Sequence, residues 1–331
     1  MTLTKKQSGI YMDDSISDDL ISADGIIFDC DGVLIDITKS YDLTIDRTVK
    51  YVLENFSQIT DSIKIDSKII DGFKSSGGFN DEVDLTYAAI ISLIAAKKLN
   101  KSQHEFIFDV ISNADSSGIL SVEKYLEKLV DINDIKNKLS YPGIHHDNPL
   151  YQIFDQIFYG PELYIKLFKQ SSQFSEPGLI ENDIVLMNNL LVEKLQKKFS
   201  SKLSIVSGRG KESIRYSLKE LLDKFDLKNS AFLEDEPREL AKPNPESLVR
   251  SINGMNCNHC IYVGDSMEDF IMAKKATNLG CKTTFCAIIG TSKNPQAKLE
   301  LFQHNGAKLA LESINLLPKV VDYPSNGLPD S

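Results

Sequence analysis

Asp29 and Asp31 stand two residues apart in the segment FDCDGVLID, directly after a short apolar run. Two carboxylates at this spacing repel each other unless water or a cation neutralises the repulsion. A third carboxylate, Asp265, follows another apolar run in YVGDSMEDF. One aspartate can attack phosphorus and form an aspartyl-phosphate, a second can serve as general acid and base, and Mg²⁺ is a cation that such oxygen ligands bind. The three aspartates therefore predict magnesium-assisted phosphoryl transfer.

Groups that bind phosphoryl oxygens occur in two further segments. In IVSGR, Ser207 offers a hydroxyl, and Gly208 lets main-chain N–H groups approach a ligand closely, ahead of a helix start that is itself an anion site. In AKPNPESL, Lys242 lies in a turn stiffened by proline, where a fixed ammonium group can hold both the phosphate and the attacking carboxylate. We expect Ser207 and Lys242 to take part in catalysis. Gly208 and Arg209 are expected to bind the substrate.

Four short apolar runs, each closed by polar residues, have the composition of strands buried on both faces. They cover residues 26–28, 203–206, 231–233 and 260–263. Segments with helical periodicity, such as KESIRYSLKELLDKF and EDFIMAKKAT, lie between the later runs. This alternation predicts an α/β fold with a doubly wound, Rossmann-like parallel sheet. In such sheets ligands bind at the carboxyl ends of the strands, so the polar residues that close the runs are expected to meet in one crevice.

The long stretch between the first predicted strand and the rest of the sheet has a different pattern. Segments such as SYDLTIDRTVKYVLENF and EVDLTYAAIISLIAAKKL have helical periodicity. We therefore expect residues 37–185 to form an inserted, mostly α-helical cap domain, and residues 22–36 and 186–331 to form the core. Residues 1–21 are polar and acidic, which predicts a flexible tail.

The motifs FDCDGVLID, IVSGR, AKPNPESL and YVGDSMEDF occur in this order, and together they resemble the phosphatase branch of the haloacid dehalogenase-like hydrolases. The resemblance covers the core segments and implies a magnesium-dependent phosphatase that acts on a small phosphomonoester. It implies that Asp29 is the nucleophile and that Asp31 is the general acid and base. It also implies that Ser207 and Lys242 hold the phosphate, and that the helical insertion is the cap of the family.

The resemblance further implies a set of metal ligands. Asp265 would bind Mg²⁺ together with Asp29 and the main-chain carbonyl of Asp31. Asp269 would support these ligands from behind without binding the ion. True dehalogenases lack an acid two residues after the nucleophile, so Asp31 argues against dehalogenation.

Two other functions stay open from the motifs. A phosphomutase shares the same residues and returns the phosphate to its substrate instead of releasing it to water. A non-catalytic binding protein on the same scaffold is the second alternative. Loss of Asp29, Asp31, Lys242 or Asp265 would favour the binding protein, and all of them are present. The motifs do not specify which phosphomonoester is the substrate.

The composition limits the partners. The 331 residues carry a formal net charge of −10, whereas a nucleic-acid partner requires a basic face. No apolar run reaches membrane-spanning length, and the first twenty or so residues lack the apolar stretch of a signal peptide. The five scattered cysteines favour a reducing compartment. We expect a cytoplasmic protein whose partner is a small phosphorylated metabolite.

The insertion contains one candidate for substrate recognition. In GGFNDEVD, residues 77–84, two glycines precede a polar cluster that begins a helix. Asn80 and Asp84 are candidates for binding the leaving group of the substrate. The simpler interpretation is that Asn80 or Asp81 caps the helix.

Two other polar groups are assigned no chemistry. Cys257 and Cys260 in CNHC have the spacing of zinc ligands, but no second pair of ligands is evident, so a structural role is favoured. His145 and His146 lie in a predicted loop of the insertion, where solvated histidines are favoured over residues that contact substrate.

Overall fold

The computed structural model describes residues 3–79, 81–143 and 147–322. The chain divides into two compact units. The first consists of Met1–Ile37 and Asp183–Ser331, and the second of Thr38–Asn182. In the described residues, no helix combines the length and the apolar character that a membrane span requires.

The first unit contains all of the strands that the described residues form. These are β1 (Thr4–Gln7), β2 (Ile10–Met12), β3 (Gly25–Phe28), β4 (Ile35–Asp36), β5 (Ile184–Val185), β6 (Leu203–Ser207), β7 (Ala231–Phe232), β8 (Cys260–Gly264), β9 (Thr283–Ile288) and β10 (Leu309–Leu311). In the described part of the chain, eight of them form one sheet in the order β1-β2-β10-β9-β8-β3-β6-β7.

The sheet is parallel from β10 to β7. The chain first adds β6 and β7 on one side of β3, and then β8, β9 and β10 on the other side. The order therefore reverses next to β3, which makes the sheet doubly wound, as expected. Ligands of such sheets bind at the carboxyl ends of the strands at this reversal point.

The helices follow in chain order. They are α1 (Ser17–Ser22), α2 (Thr38–Ser57), α3 (Ser67–Ser75), α4 (Glu82–Lys98), α5 (Gln103–Asn113), α6 (Ile119–Leu126), α7 (Asn133–Leu139), α8 (Pro149–Phe168), α9 (Asn189–Phe199), α10 (Lys211–Leu218), α11 (Glu246–Gly254), α12 (Met267–Asn278), α13 (Pro295–His304) and α14 (Leu317–Val321). Helices α2 to α8 belong to the second unit.

Alternation along β3 explains the layers of the first unit. All residues of this strand are buried. Ile26 and Phe28 belong to one apolar core with residues of α9, α10 and α14. Ile27 belongs to another core with residues of α11, α12 and α13. Because neighbouring strand residues point to opposite faces, the apolar run of the first motif requires helices on both sides of the sheet.

The N-terminal segment differs from the expected flexible tail. Strands β1 and β2 form an antiparallel hairpin, and β2 pairs with β10 at the edge of the sheet. Ile10 and Met12 are fully buried there, as is Leu20 of α1. The prediction was wrong because a few apolar side chains are enough to fix a segment that is otherwise polar.

The second unit is a bundle of helices around α4. The residues from Leu85 to Ala96 are all buried, and α2, α5 and α6 pack against this helix. A helix that is apolar on all sides lies at the centre of a domain. The sequence predicted a mostly helical insertion, and the second unit is mostly helical.

A separate two-stranded sheet lies where the chain leaves the first unit and where it returns to it. Strands β4 and β5 pair antiparallel, with Ile35 opposite Val185 and Asp36 opposite Ile184. The N–H of Leu186 then donates to the carbonyl of Leu34 at 2.8 Å. These bonds place residues 183–185 in the first unit, whereas the sequence predicted them in the insertion.

Candidate active site

Asp29 follows β3 directly. Its main-chain N–H continues the sheet by donating to the carbonyl of Val263 at 2.8 Å. Its side chain is 9% exposed, and Oδ1 lies 2.7 Å from Nζ of Lys242. The pKa of Asp29 is raised to about 8: burial raises it most, Lys242 lowers it, and the carboxylates of Asp269 and Asp265 raise it. The positive charge of Lys242 therefore does not offset burial and the two neighbouring carboxylates.

The ammonium group of Lys242 is shared by two carboxylates. Its Nζ atom lies 2.7 Å from Oδ1 of Asp29 and 2.7 Å from Oδ1 of Asp269. Burial lowers the pKa of Lys242, but the charges of Asp269 and Asp29 raise it, and the result lies above the ordinary value. Lys242 therefore provides a fixed positive charge beside Asp29.

Asp269 holds this charge in place from a fully buried position. Its Oδ1 accepts a hydrogen bond from the hydroxyl of Tyr262 at 2.8 Å. Its Oδ2 accepts from the main-chain N–H groups of Asp265 and Ser266 and from the Ser266 hydroxyl. Ser266 is also the N-cap of α12. With both oxygens supplied with donors, Asp269 orients Lys242 and the loop that carries Asp265.

Asp265 follows β8 and faces the loop after β3. A Cβ atom built on Gly32 would lie 2.4 Å from Oδ2 of Asp265, and Gly32 has a φ of +73°. Only glycine allows both this close approach and this backbone conformation. On its other side, Oδ2 lies 2.7 Å from Nζ of Lys298 in α13. The loop of the first motif and the carboxylate of the last motif are thus in direct contact.

The carboxylates at these strand ends fit a divalent cation. In the described residues, Asp29, Asp265 and Asp269 offer ligand oxygens that all lie within 4.8 Å of one another. Lys242 and Lys298 set two positive charges against these three carboxylates, which leaves a net negative charge. Hard cations such as Mg²⁺ take oxygen ligands and commonly use one or two carboxylates. Donor type, spacing and charge therefore suit such an ion.

Asp31 is held by a second cation. Its side chain is 23% exposed, and Oδ1 lies 3.1 Å from Nη1 of Arg209. The Arg209 side chain is 1% exposed, and its Nη2 lies 2.8 Å from Oδ2 of Asp183. The guanidinium of Arg209 is thus buried between two carboxylates of the protein itself, and substrate binding by Arg209 stays a prediction.

Ser207 and Gly208 lie at the carboxyl end of β6, next to β3 in the sheet. The Ser207 hydroxyl accepts a hydrogen bond from the N–H of Arg209 at 3.3 Å. Gly208 is exposed, and nothing lies within 4 Å of the position that a Cβ atom would take. The main chain at Gly208 is therefore open to a ligand.

The N-terminus of α10, expected to be an anion site, is already filled by side chains. The N–H of Gly210 donates to Oε2 of Glu234 at 2.7 Å, and the N–H of Lys211 donates to Oδ2 of Asp235 at 2.8 Å. Both carboxylates belong to the segment after β7. No sequence pattern indicates that this segment contacts the start of α10. The expectation was wrong for these two N–H groups.

Asp81 and Asp84 lie at the start of α4 in the second unit. Asp81 is the N-cap of this helix, and its Oδ1 accepts from the N–H of Val83 at 2.7 Å. The helix-cap interpretation is confirmed for Asp81. Asp84 lies in the first turn, where the hydroxyl of Tyr141 donates to its Oδ1. Three further residues singled out in the sequence lie outside the described residues: Asn80, His145 and His146.

Cys257 and Cys260 are both free thiols. Cys260 is buried at the start of β8, and Cys257 is half-buried. The described residues place no further histidine, cysteine or acid with this pair in a group of metal-binding size.

Sequence reasoning missed Asp183 and Lys298. Asp183 precedes β5 in a stretch predicted to belong to the insertion, where nothing distinguishes it from other acidic residues. Lys298 lies 33 residues after Asp265 in a separate helix. Neither position carried a signal in the sequence, since both depend on contacts that form only in the folded chain.

The chain is similar to known proteins in part of its sequence and in its fold. The family model described as haloacid dehalogenase-like hydrolase matches residues 187–277. A phosphatase, Tt82, from Thermococcus thioreducens has a similar fold, with a TM-score of 0.53 and 22% identity over 85% of this chain and 99% of that one. A putative phosphoglycolate phosphatase from Lactobacillus plantarum aligns at 12% identity over 90% and 99% of the two chains, with a TM-score of 0.46. No curated protein matches the sequence.

Proposed function

We propose that this core is that of a haloacid dehalogenase-like hydrolase, whose family model matches residues 187–277, and that the protein is a magnesium-dependent phosphatase that hydrolyses a small phosphomonoester through an aspartyl-phosphate. The main support is the placement of Asp29, Lys242 and Asp265 together at the carboxyl ends of parallel strands. Such an arrangement offers a nucleophile, a fixed cation and a metal ligand within one site.

In the first step a carboxylate oxygen of Asp29 attacks phosphorus, and the bond between phosphorus and the leaving oxygen breaks. Lys242, 2.7 Å from Asp29, offsets the charge of this carboxylate and draws in the anionic phosphoryl group. Asp31 transfers its proton to the leaving oxygen, so that an alcohol departs. The product is a phosphoryl ester on Asp29.

In the second step Asp31, now ionised, accepts a proton from water. The water oxygen attacks phosphorus, the bond to Asp29 breaks, and inorganic phosphate leaves. Both carboxylates return to their starting states. The two roles require that Asp31 reach the reacting oxygens from a fixed direction in both steps.

The metal would be held by side chains of the same strand ends. Asp29, Asp265 and the main-chain carbonyl of Asp31 would be its ligands, and Asp269 would support them. When bound, Mg²⁺ neutralises the carboxylates and polarises the phosphoryl group.

Phosphoryl oxygens need donors besides the cations. The Ser207 hydroxyl and the open main chain at Gly208 are placed at a neighbouring strand end, and we assign them to this role with Lys242. Choice of the leaving group is assigned to the helical unit, with Asp84 and Asn80 as the candidates. A small phosphorylated metabolite is the expected partner.

The five cysteines are all free. Free thiols persist in reducing compartments, and the proposed site of action is the cytoplasm.

Phosphate release from a panel of phosphorylated metabolites tests the proposal. With the full chain, release should require added Mg²⁺, stop in excess chelator and resume when Mg²⁺ is restored. Ca²⁺ should substitute poorly because its looser coordination misplaces the nucleophile. Full activity in excess chelator would contradict the proposed metal site. Phosphate that moves to a second sugar without release to water would identify a phosphomutase instead.

A further inference from the structure

The guanidinium of Arg209 has an acceptor for each of its nitrogens. Nε donates to the hydroxyl of Ser213 at 2.6 Å, and Nη1 donates to Oδ1 of Asp31 at 3.1 Å. Nη2 donates to Oδ2 of Asp183 at 2.8 Å and to the hydroxyl of Ser217 at 3.1 Å. A planar, permanently charged fork held in this way has one orientation. The Nη1 group of Arg209 therefore donates to the carboxylate of Asp31 from one fixed direction.

Asp183 is itself fixed. Its side chain is 3% exposed, and its Oδ2 also accepts from the hydroxyl of Ser217 at 2.7 Å. It directly precedes β5, which pairs with β4. The N–H of Gly32, next to Asp31, donates to the carbonyl of Ile35 in β4. Asp31 and Asp183 are thus attached to opposite strands of the same short ladder.

We propose that Arg209 and Asp183 are positioning residues for the general acid and base, because they hold the carboxyl group of Asp31 in the direction that proton transfer requires. The inference rests on the proposed function. Asp31 lies in a loop and is the most exposed member of the group, and the contact with the buried guanidinium holds its carboxyl group in one direction. A misplacement of about 1 Å at a reacting group can cost roughly a hundredfold in rate.

The direct test is Asp183→Asn, which keeps the shape of the side chain but removes the charge that anchors Arg209. We expect kcat/KM for an alkyl phosphate to fall about tenfold or more, because its leaving oxygen needs a proton. With para-nitrophenyl phosphate, whose leaving group departs as a stable anion, kcat/KM should change less than threefold, roughly. Asp31→Asn sets the upper limit for this selective loss, at about a hundredfold to ten-thousandfold.

The second step provides an independent readout. In Asp183→Asn, slow water activation should let the aspartyl-phosphate accumulate. Para-nitrophenol should then appear in a burst close to one equivalent per enzyme, followed by a slower steady rate. Ser217→Ala, which removes a hydroxyl that donates to Asp183 and accepts from Arg209, should show the same pattern more weakly and guards against failure of the first variant to fold.

Asp24→Asn is the matched control. Asp24 pairs with Lys202 at 3.0 Å and accepts from the N–H of His259, at the end of β3 away from Asp29. It should leave the ratio of the two substrates and the burst unchanged. Equal losses on both substrates without a burst, in folded Asp183→Asn and Ser217→Ala, would overturn the positioning role. An inactive wild-type enzyme, by contrast, would count against the proposed function.

Discussion

The site contains two groups in which a cation lies between two carboxylates. We name them the lysine triad, Asp29–Lys242–Asp269, and the arginine triad, Asp31–Arg209–Asp183. Each starts from one aspartate of the first motif. In both, the aspartate proposed to react is the most exposed member, and the carboxylate behind the cation is almost completely buried. The two aspartates are thus supported in the same way by different cations.

The difference between the cations matches the difference between the proposed roles. A lysine ammonium is a compact charge, which attracts two carboxylates at the same distance but imposes little direction on them. An arginine guanidinium is a rigid fork, which fixes the direction of each partner. A nucleophile beside a phosphoryl group needs charge, whereas a proton carrier needs orientation. The comparison suggests that the lysine triad supplies charge and the arginine triad supplies direction.

The largest effect should come from removing the reacting carboxylate of the lysine triad. Asp29→Asn should lower kcat by roughly 10⁴-fold or more, on aryl and alkyl phosphates alike, because no aspartyl-phosphate can form. Acid quench followed by mass spectrometry should find the phosphoryl group on residue 29 in the wild type and nowhere in the variant. Wild-type turnover in Asp29→Asn would mean that another residue attacks phosphorus.

Exchange of the cations tests the comparison itself. Lys242→Arg should lower kcat/KM by about a hundredfold or more with either substrate, because a larger planar group must fit between side chains that are at most 9% exposed. Arg209→Lys keeps the charge but loses the fork, and should lower kcat/KM about tenfold for alkyl phosphates only. Steady-state kinetics with both substrates would measure the two patterns. If Arg209→Lys impaired both substrates equally, direction would not be the property that matters.

The two triads also differ in how far the sequence reveals them. Every member of the lysine triad lies in a motif at a strand end or next to a helix start, and parallel pairing of β3 with β8 brings two of them together. Asp183 lies 26 residues before Arg209 and meets it only because β5 folds back onto β4. A short, isolated ladder of two residues on each strand leaves no periodic pattern to read.

The same limit explains the wrong predictions for the N-terminal segment and for the start of α10. The hairpin of β1 and β2 is held at the sheet edge by three residue pairs between β2 and β10. The start of α10 is capped by Glu234 and Asp235, which are far from it in the sequence. The apolar runs of the central strands are longer, fully buried and locally complete. For this reason the doubly wound core was predictable from the sequence, and its edges were not.

Asp81 offers a contrast to the two triads, because the described residues form no ion pair with its carboxylate. Asp81 is the partly buried N-cap of α4. Burial, followed by the charges of Asp84 and Glu82, raises its pKa from 3.8 to about 6, and no cation is among the main causes of the shift. Asp81 therefore binds a proton more tightly in the folded protein than in the unfolded chain. This preference favours folding at low pH, and its contribution is lost as the pH rises from about 4 to about 6.

Asp81→Asn should not show this loss of stability as the pH rises. Its activity should change less than that of any variant above. Asparagine still accepts from the N–H of Val83 as an N-cap, but it carries no charge to bury. Between about pH 4 and pH 7 the wild type should lose roughly 1–3 kcal/mol of stability relative to the variant. Thermal unfolding at several pH values measures the difference, with Asp66→Asn, the exposed N-cap of α3, as control. Parallel stability curves for wild type and Asp81→Asn would show that this carboxylate is neutralised by a group of the chain, as the two triads are.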